Sequence, residues 1–127
     1  MAKKYVFIVG NSNYLNQEQF PTIPYCKNDA EEIFKTLCEK EYSLFEMNGS
    51  VIKIDIAYQE FLEELNLFFS SIESTDLVLF YFAGHGRVLG GKSFHLVMND
   101  SLTNSKMLVN STFNIESLIP YFTEKKS

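Results

Sequence analysis

The residues best suited to chemistry are Gly84, His85 and Gly86, at the end of the longest apolar run in the chain, residues 77–83. An imidazole beyond the end of a buried strand is well placed for general acid–base work near neutral pH. Its flanking glycines permit positive φ and a close backbone approach, so the ring is free of bulky neighbours. The amide of Gly86 would be free to donate to a developing oxyanion. The same three residues also fit a polar turn whose histidine does nothing. His95 lies inside a strand pattern with no glycine beside it and reads as a structural histidine. Gly10, Gly84, Gly86, Gly90 and Gly91 form neither GxGxxG nor a P-loop between strand and helix, and there is no GxSxG elbow, which weakens a nucleotide-site reading. Cys26 and Cys38 show no CxxC or His-rich spacing, so no metal site is expected. They lie about 18 Å apart along one helix, whereas a disulfide needs Cα atoms within about 7 Å. Free thiols are expected, which fits a reducing compartment.

These residues need elements to hold them. Residues 5–9 (YVFIV) form a short continuous apolar run ended by Gly10, which reads as a buried strand. Residues 10–25 are polar and read as a loop. Asn28 then opens a helix, with Glu31 at capping-box spacing. Ile33, Phe34, Leu37 and Cys38 fall on one face of it. Residues 51–56 (VIKIDI) alternate as a second strand. Residues 57–73 form the clearest helix, with Phe61, Leu62, Leu65, Phe68, Phe69 and Ile72 as its apolar stripe and Glu60, Glu63 and Glu64 on its solvated face. Residues 77–82 (LVLFYF) are apolar on both faces and predict a central strand covered by helices on both sides. Residues 94–98 form a further strand and residues 115–122 a short helix disturbed by Pro120. The alternation predicts an α/β fold, a three-layer sandwich with a mostly parallel sheet flanked by helices. Ligands bind beyond the carboxyl ends of such strands, which singles out residues 10–14, 55–57 and 83–87.

The chain has 127 residues, which suits one domain spanning 1–127. Its charge is 11 − 16 = −5. An acidic chain with no Lys/Arg cluster is a poor partner for nucleic acid or an anionic membrane surface. No apolar run approaches the roughly 18 residues of a membrane span, and the N-terminus lacks the apolar core and cleavage site of a signal peptide. A cytoplasmic location is expected.

Four segments resemble caspase-like peptidases, in that family's order and spacing and over nearly the whole chain. Residues 4–14 (KYVFIVGNSNY) resemble the first strand, and residues 25–30 (YCKNDA) the Cys-x-Asn-Asp-Ala helix start. Residues 76–86 (DLVLFYFAGHG) resemble the strand that delivers the catalytic histidine, and residues 94–100 (FHLVMND) the hairpin strand after it. The metacaspase and bacterial branch fits better than the animal caspases. The resemblance implies a cysteine endopeptidase with a Cys–His dyad, a protein or peptide substrate and no cofactor. It makes His85 the catalytic histidine and Gly86 an oxyanion-hole amide. It makes Asp29 part of an acidic pocket for a Lys or Arg side chain. Asp29 read by itself is a first-turn helix residue favoured by the helix dipole. Cys26 matches an accessory cysteine of some metacaspases. Calcium dependence is common in that branch, but no EF-hand-like loop is present.

The family's nucleophilic cysteine would fall at about residue 135, on a strand after the histidine. Neither Cys26 nor Cys38 matches that motif, so these 127 residues alone are expected not to hydrolyse peptides. Three readings follow. The chain is the large-subunit portion of a caspase-like protease, with the cysteine supplied by a downstream segment or a second, small-subunit chain. It is a catalytically inactive homologue acting as a regulatory or protein-interaction module. Or it is an unrelated small α/β binding domain. The first two imply association, with a partner or with itself, through an exposed sheet edge.

Overall fold

The computed structural model describes residues 2–102 and 105–123; the other positions of the expected span 1–127 lie outside the described residues. The centre of the fold is strand β1 (Lys4–Gly10), the run of β-formers that opens the chain. It pairs in parallel with β2 (Val51–Ile54) on one side and β3 (Leu77–Ala83) on the other. Val6, Phe7, Ile8 and Val9 are completely buried. Alternation along the strand divides them between two faces. Val6 and Ile8 pack against Ala30, Phe34 and Cys38 of the first helix, α1 (Tyr25–Phe34), which continues through a wide π-helical turn over Lys35–Glu39. Phe7 and Val9 pack against Phe61, Leu65, Phe68 and Phe69 of α2 (Tyr58–Ser70). The parallel sheet is thus flanked by a helix on each face, and the α/β sandwich is found. Burying each of these large apolar side chains stabilises the fold by about 1.5–3 kcal/mol. Phe7 adds ring contacts, edge-on to Phe61 and Phe68 and stacked on Phe80 at 5.7 Å.

Three expectations need correction. The first concerns the strand apolar on both faces: β3 flanks β1 at the edge of this sheet, and β1 is central. Leu77 and Leu79, on the α1 face of β3, are 54% and 41% exposed, whereas Tyr81, further along the same face, packs against the α1 cluster. The second is the helix start. α1 begins at Tyr25 after Pro24, with no side-chain cap from its own sequence, and Asn28 lies inside it. The cap comes from a distant residue, as Ser12 Oγ accepts the Lys27 amide at 2.9 Å. The third is the strand over 51–56, which stops at Ile54 because Asp55 turns the chain with φ of +52°.

A second sheet is antiparallel, in the order β4-β5-β6. It contains β4 (Gly86–Leu89), β5 (Ser93–Val97) and β6 (Thr112–Asn114). Only β5 was expected from the residue pattern. Helix α3 (Ser105–Ser111) leads into β6. The helix expected over 115–122 is split into a 3₁₀ turn, Ile115–Leu118, in which Asn114 Oδ1 accepts the Glu116 amide, and α4 (Ile119–Thr123). Pro120 lies in the first turn of α4, where its missing N–H costs little. Among the described residues no helix is long and apolar enough to cross a membrane.

Candidate functional site

The turn from β3 to β4 carries His85. Both of its own backbone groups are engaged. Its amide donates to Tyr14 Oη at 2.8 Å, and Tyr14 Oη donates onward to Asn11 O at 3.1 Å. Its carbonyl accepts the Val97 amide at 3.0 Å. Burial pushes the Tyr14 hydroxyl well above the usual phenol range, so it stays protonated and keeps its donor role. Gly84 leaves room for this phenol: a Cβ there would lie 2.6 Å from Tyr14 Oη. The imidazole lies edge-on to Tyr14, with ring centres 4.9 Å apart, and tilted against Phe20 at 5.8 Å.

One contact defines the ring chemically. His85 Nε2 lies 2.7 Å from Pro21 O. A carbonyl oxygen only accepts, so Nε2 carries the proton, and the neutral ring keeps its lone pair on Nδ1. Nδ1 has no hydrogen-bond partner among the described residues. The arrangement is that of a base whose far nitrogen is tethered and whose near nitrogen is open.

Gly86 follows. Because Val97 donates to His85 O, His85 and Val97 form a hydrogen-bonded pair, and the antiparallel alternation turns the Gly86 N–H away from β5. β4 is at the edge of its sheet, so this N–H points off that edge. The Gly86 carbonyl on the same side accepts from Arg87 Nη1 at 3.0 Å. Arg87 also reaches Gln19 O at 2.8 Å and lies 4.7 Å above the Phe20 ring, which ties the turn to the loop after β1.

Asp29 is exposed on α1. The N-terminal turn of α1 crosses β1 at Gly10, where a Cβ would lie 2.6 Å from both Cys26 O and Ala30 Cβ. Gly10 pairs with Ala83 at the end of β3. Asp29 and His85 therefore share the carboxyl end of the parallel sheet, though no direct contact joins them. Burial raises the Tyr81 hydroxyl on β3, and Asp29 and Cys26 raise it further. Asp55 closes this end from the β2 side. It accepts the Ser12 amide at 2.8 Å, the Asn13 amide at 2.9 Å and Asn13 Nδ2 at 3.1 Å. Burial would raise its carboxyl, but these bonds and Lys27 outweigh it and hold the group below the usual carboxylate range.

Neither cysteine is an activated nucleophile. Both are free and buried. Burial pushes the Cys26 thiol up, and Asp29 and Asp55 push it further. Cys38 is raised by burial and Glu39 against an opposing hydrogen bond with Ser50. A reactive cysteine needs the opposite surroundings, electropositive and partly open. Among the described residues no group of three or more His, Cys, Asp and Glu converges to hold a metal ion.

The roles of Pro21 and Tyr14 were not legible in advance. Pro21 contributes only a backbone carbonyl, which no residue type advertises. Tyr14 lies in a segment recognised as leaving a strand end, but nothing in its type shows that its hydroxyl reaches the His85 amide.

A parallel sheet covered on both faces, with a tethered histidine beyond the carboxyl end of one strand, defines the α/β domain. The family model of the caspase domain matches residues 3–126, and the chain belongs to that family of cysteine peptidases, which act on protein substrates. This membership excludes the unrelated α/β binding domain. No curated protein matches the chain.

Proposed function

We propose that the chain is the histidine-bearing portion of a caspase-like cysteine endopeptidase of the metacaspase and bacterial branch, one domain over 1–127, cleaving after Lys or Arg. The observation that carries this reading is the His85–Pro21 contact, which leaves Nδ1 as the open base. The nucleophile is a cysteine outside these 127 residues, from a downstream segment or a second chain, since Cys26 and Cys38 are both raised and buried. In the reaction His85 Nδ1 takes the thiol proton and the thiolate attacks the scissile carbonyl carbon. The Gly86 N–H donates to the resulting oxyanion. As the C–N bond breaks, the proton on Nδ1 passes to the leaving amine. Water then attacks the thioester, giving its proton to Nδ1, and the thiol is regenerated as the acid product leaves. Asp29 offers its carboxylate to the cationic side chain of the substrate.

The test uses the polypeptide purified from its source, with any further segment or companion chain that accompanies it. Lys and Arg peptides are expected to be cleaved, and His85→Ala to lower kcat by about a hundredfold or more. Asp29→Ala is expected to weaken Lys and Arg substrates selectively. Undiminished turnover in His85→Ala overturns the catalytic role, and equal loss on all substrates makes Asp29 structural. A second reading, an inactive relative acting through partners, is favoured by the open β3 flank with its exposed Leu77 and Leu79. A lone chain without peptidase activity that retains a bound partner would establish it.

A further inference from the structure

His95 is 6% exposed and takes no part in the site above. Its Nδ1 lies 3.0 Å from Thr112 Oγ1, and that hydroxyl donates its own hydrogen to Leu108 O at 2.6 Å. Thr112 can therefore only accept from the ring, so the proton of the neutral imidazole is on Nδ1 and the lone pair on Nε2. This is the opposite tautomer to that of His85. Nε2 has no hydrogen-bond partner among the described residues, yet every fully enclosed side-chain nitrogen and oxygen among them has one. Nε2 therefore opens into the space that His95 lines.

That space is a cleft of about 390 Å³ between α2, β6 and the C-terminal turns. The volume is in the range of small-molecule sites. Tyr58, Phe113 and Tyr121 supply aromatic walls, and Leu62 and Val109 apolar ones. Asn114 spends its carbonyl oxygen on the Glu116 amide, which leaves its NH₂ group as a donor at the rim. Among the described residues no Asp, Glu, Lys or Arg lines the cleft. A charged ligand would lose its hydration there without a counter-charge, which is strongly unfavourable. A flat ring between aromatic walls gains stacking and edge contacts instead.

We propose that the cleft beside His95 is a binding site for a small uncharged planar ring that donates an N–H or O–H to His95 Nε2. Filling it satisfies the His95 acceptor, which has no hydrogen-bond partner among the described residues. The site is separate from the proposed peptidase chemistry and does not depend on it.

Indole and 1-methylindole form a matched pair of probes, alike in shape and differing in the donor. They are titrated into the full chain labelled with ¹⁵N. The sequence has two histidines, so His85 serves as an internal control. Indole is expected to shift the His95 Nε2 resonance and leave that of His85 in place. 1-Methylindole is expected to bind about tenfold more weakly or worse, the loss associated with leaving a buried acceptor unpaired. Ser117→Trp and Val109→Trp, at exposed positions on the rim, should each obstruct the cleft and abolish the indole shift without touching His95. Equal binding of the two probes overturns the donor requirement. An unmoved His95 resonance at saturating indole, or an indole shift that survives both tryptophan variants, overturns the site.

Discussion

At the scale of single residues, the two histidines are distinguished by their acceptors. His85 is tethered through Nε2 to a carbonyl and His95 through Nδ1 to a hydroxyl already committed as a donor. In the neutral state the chain should hold one imidazole of each tautomer, and the ¹⁵N shifts of their ring nitrogens should show opposite patterns. Two rings of the same tautomer would remove the basis for treating His85 Nδ1 as the open base. Asp55 supplies a second prediction. Its folded carboxyl is depressed, so its contribution to stability is present above the unfolded value of about 3.9 and is lost as pH falls through the lower folded value. Asp55→Asn keeps tolerance for the positive φ and one accepting oxygen, but removes the charge. The variant should be less stable than the parent near neutrality, and urea melts should show the gap closing as pH falls from about 5 to 2. A constant gap across that range would assign the loss to geometry, not ionisation.

At the scale of elements, Gly86 and Phe94 show how two strands set the shape of the turn. Gly86 pairs with Leu96 and Phe94 with Val88, so Gly86 and Phe94 are diagonal neighbours on one face. A Cβ on Gly86 would collide with the Phe94 ring. Gly86→Ala should therefore destabilise the domain in the parent and much less in a Phe94→Ala background. A double-mutant cycle in urea should give a coupling of about 1 kcal/mol or more. No coupling would mean that the half-exposed Phe94 ring simply swings aside. This relationship was not legible in the residue pattern, because β4 and β6 are only four and three residues long and too short for a period to appear. The long elements were legible. The stripe on α2 is buried at Phe61, Leu65, Phe68 and Phe69, and the run in β1 is completely enclosed. Sheet order was not. Residues 77–82 are apolar on both faces, which states how much burial the strand can accept, while its place beside β1 is a matter of pairing. The start of α1 was missed for a similar reason, since its cap is Ser12, remote in sequence. The position of the glycine-flanked histidine beyond a strand end was readable from residue types, but its tether to Pro21 was not.

At the scale of the whole molecule, one buried side chain joins the two sheets at the site. Asn11 is completely enclosed. Its amide donates to Ala83 O at the end of β3, and its carbonyl accepts from Tyr14 Oη. Its side chain accepts the Ile56 amide at 2.9 Å and donates to Val97 O at 3.3 Å. Val97 is the residue whose amide holds His85 O. Asn11 thus links the parallel sheet to β5 and, through β5, to the His85 turn. Asn99 runs alongside, donating its amide to Ile56 O and its side chain to Asn13 O. The apolar core also crosses this boundary, because Leu96 and Phe113 pack in the same cluster as Phe7 and Phe61. The two kinds of link predict different responses to Asn11→Leu. An apolar side chain of similar size fills the space but leaves the Ile56 amide and the Val97 carbonyl unpaired in a dry interior. The expected loss is about 2–5 kcal/mol in urea unfolding. Hydrogen exchange should quicken at Val97 and His85 more than within β1, since β1 keeps both of its parallel neighbours. A loss under about 0.5 kcal/mol with uniform exchange would mean that the shared aromatic core alone positions β5, and that the histidine turn is held from the side of Tyr14 and Pro21.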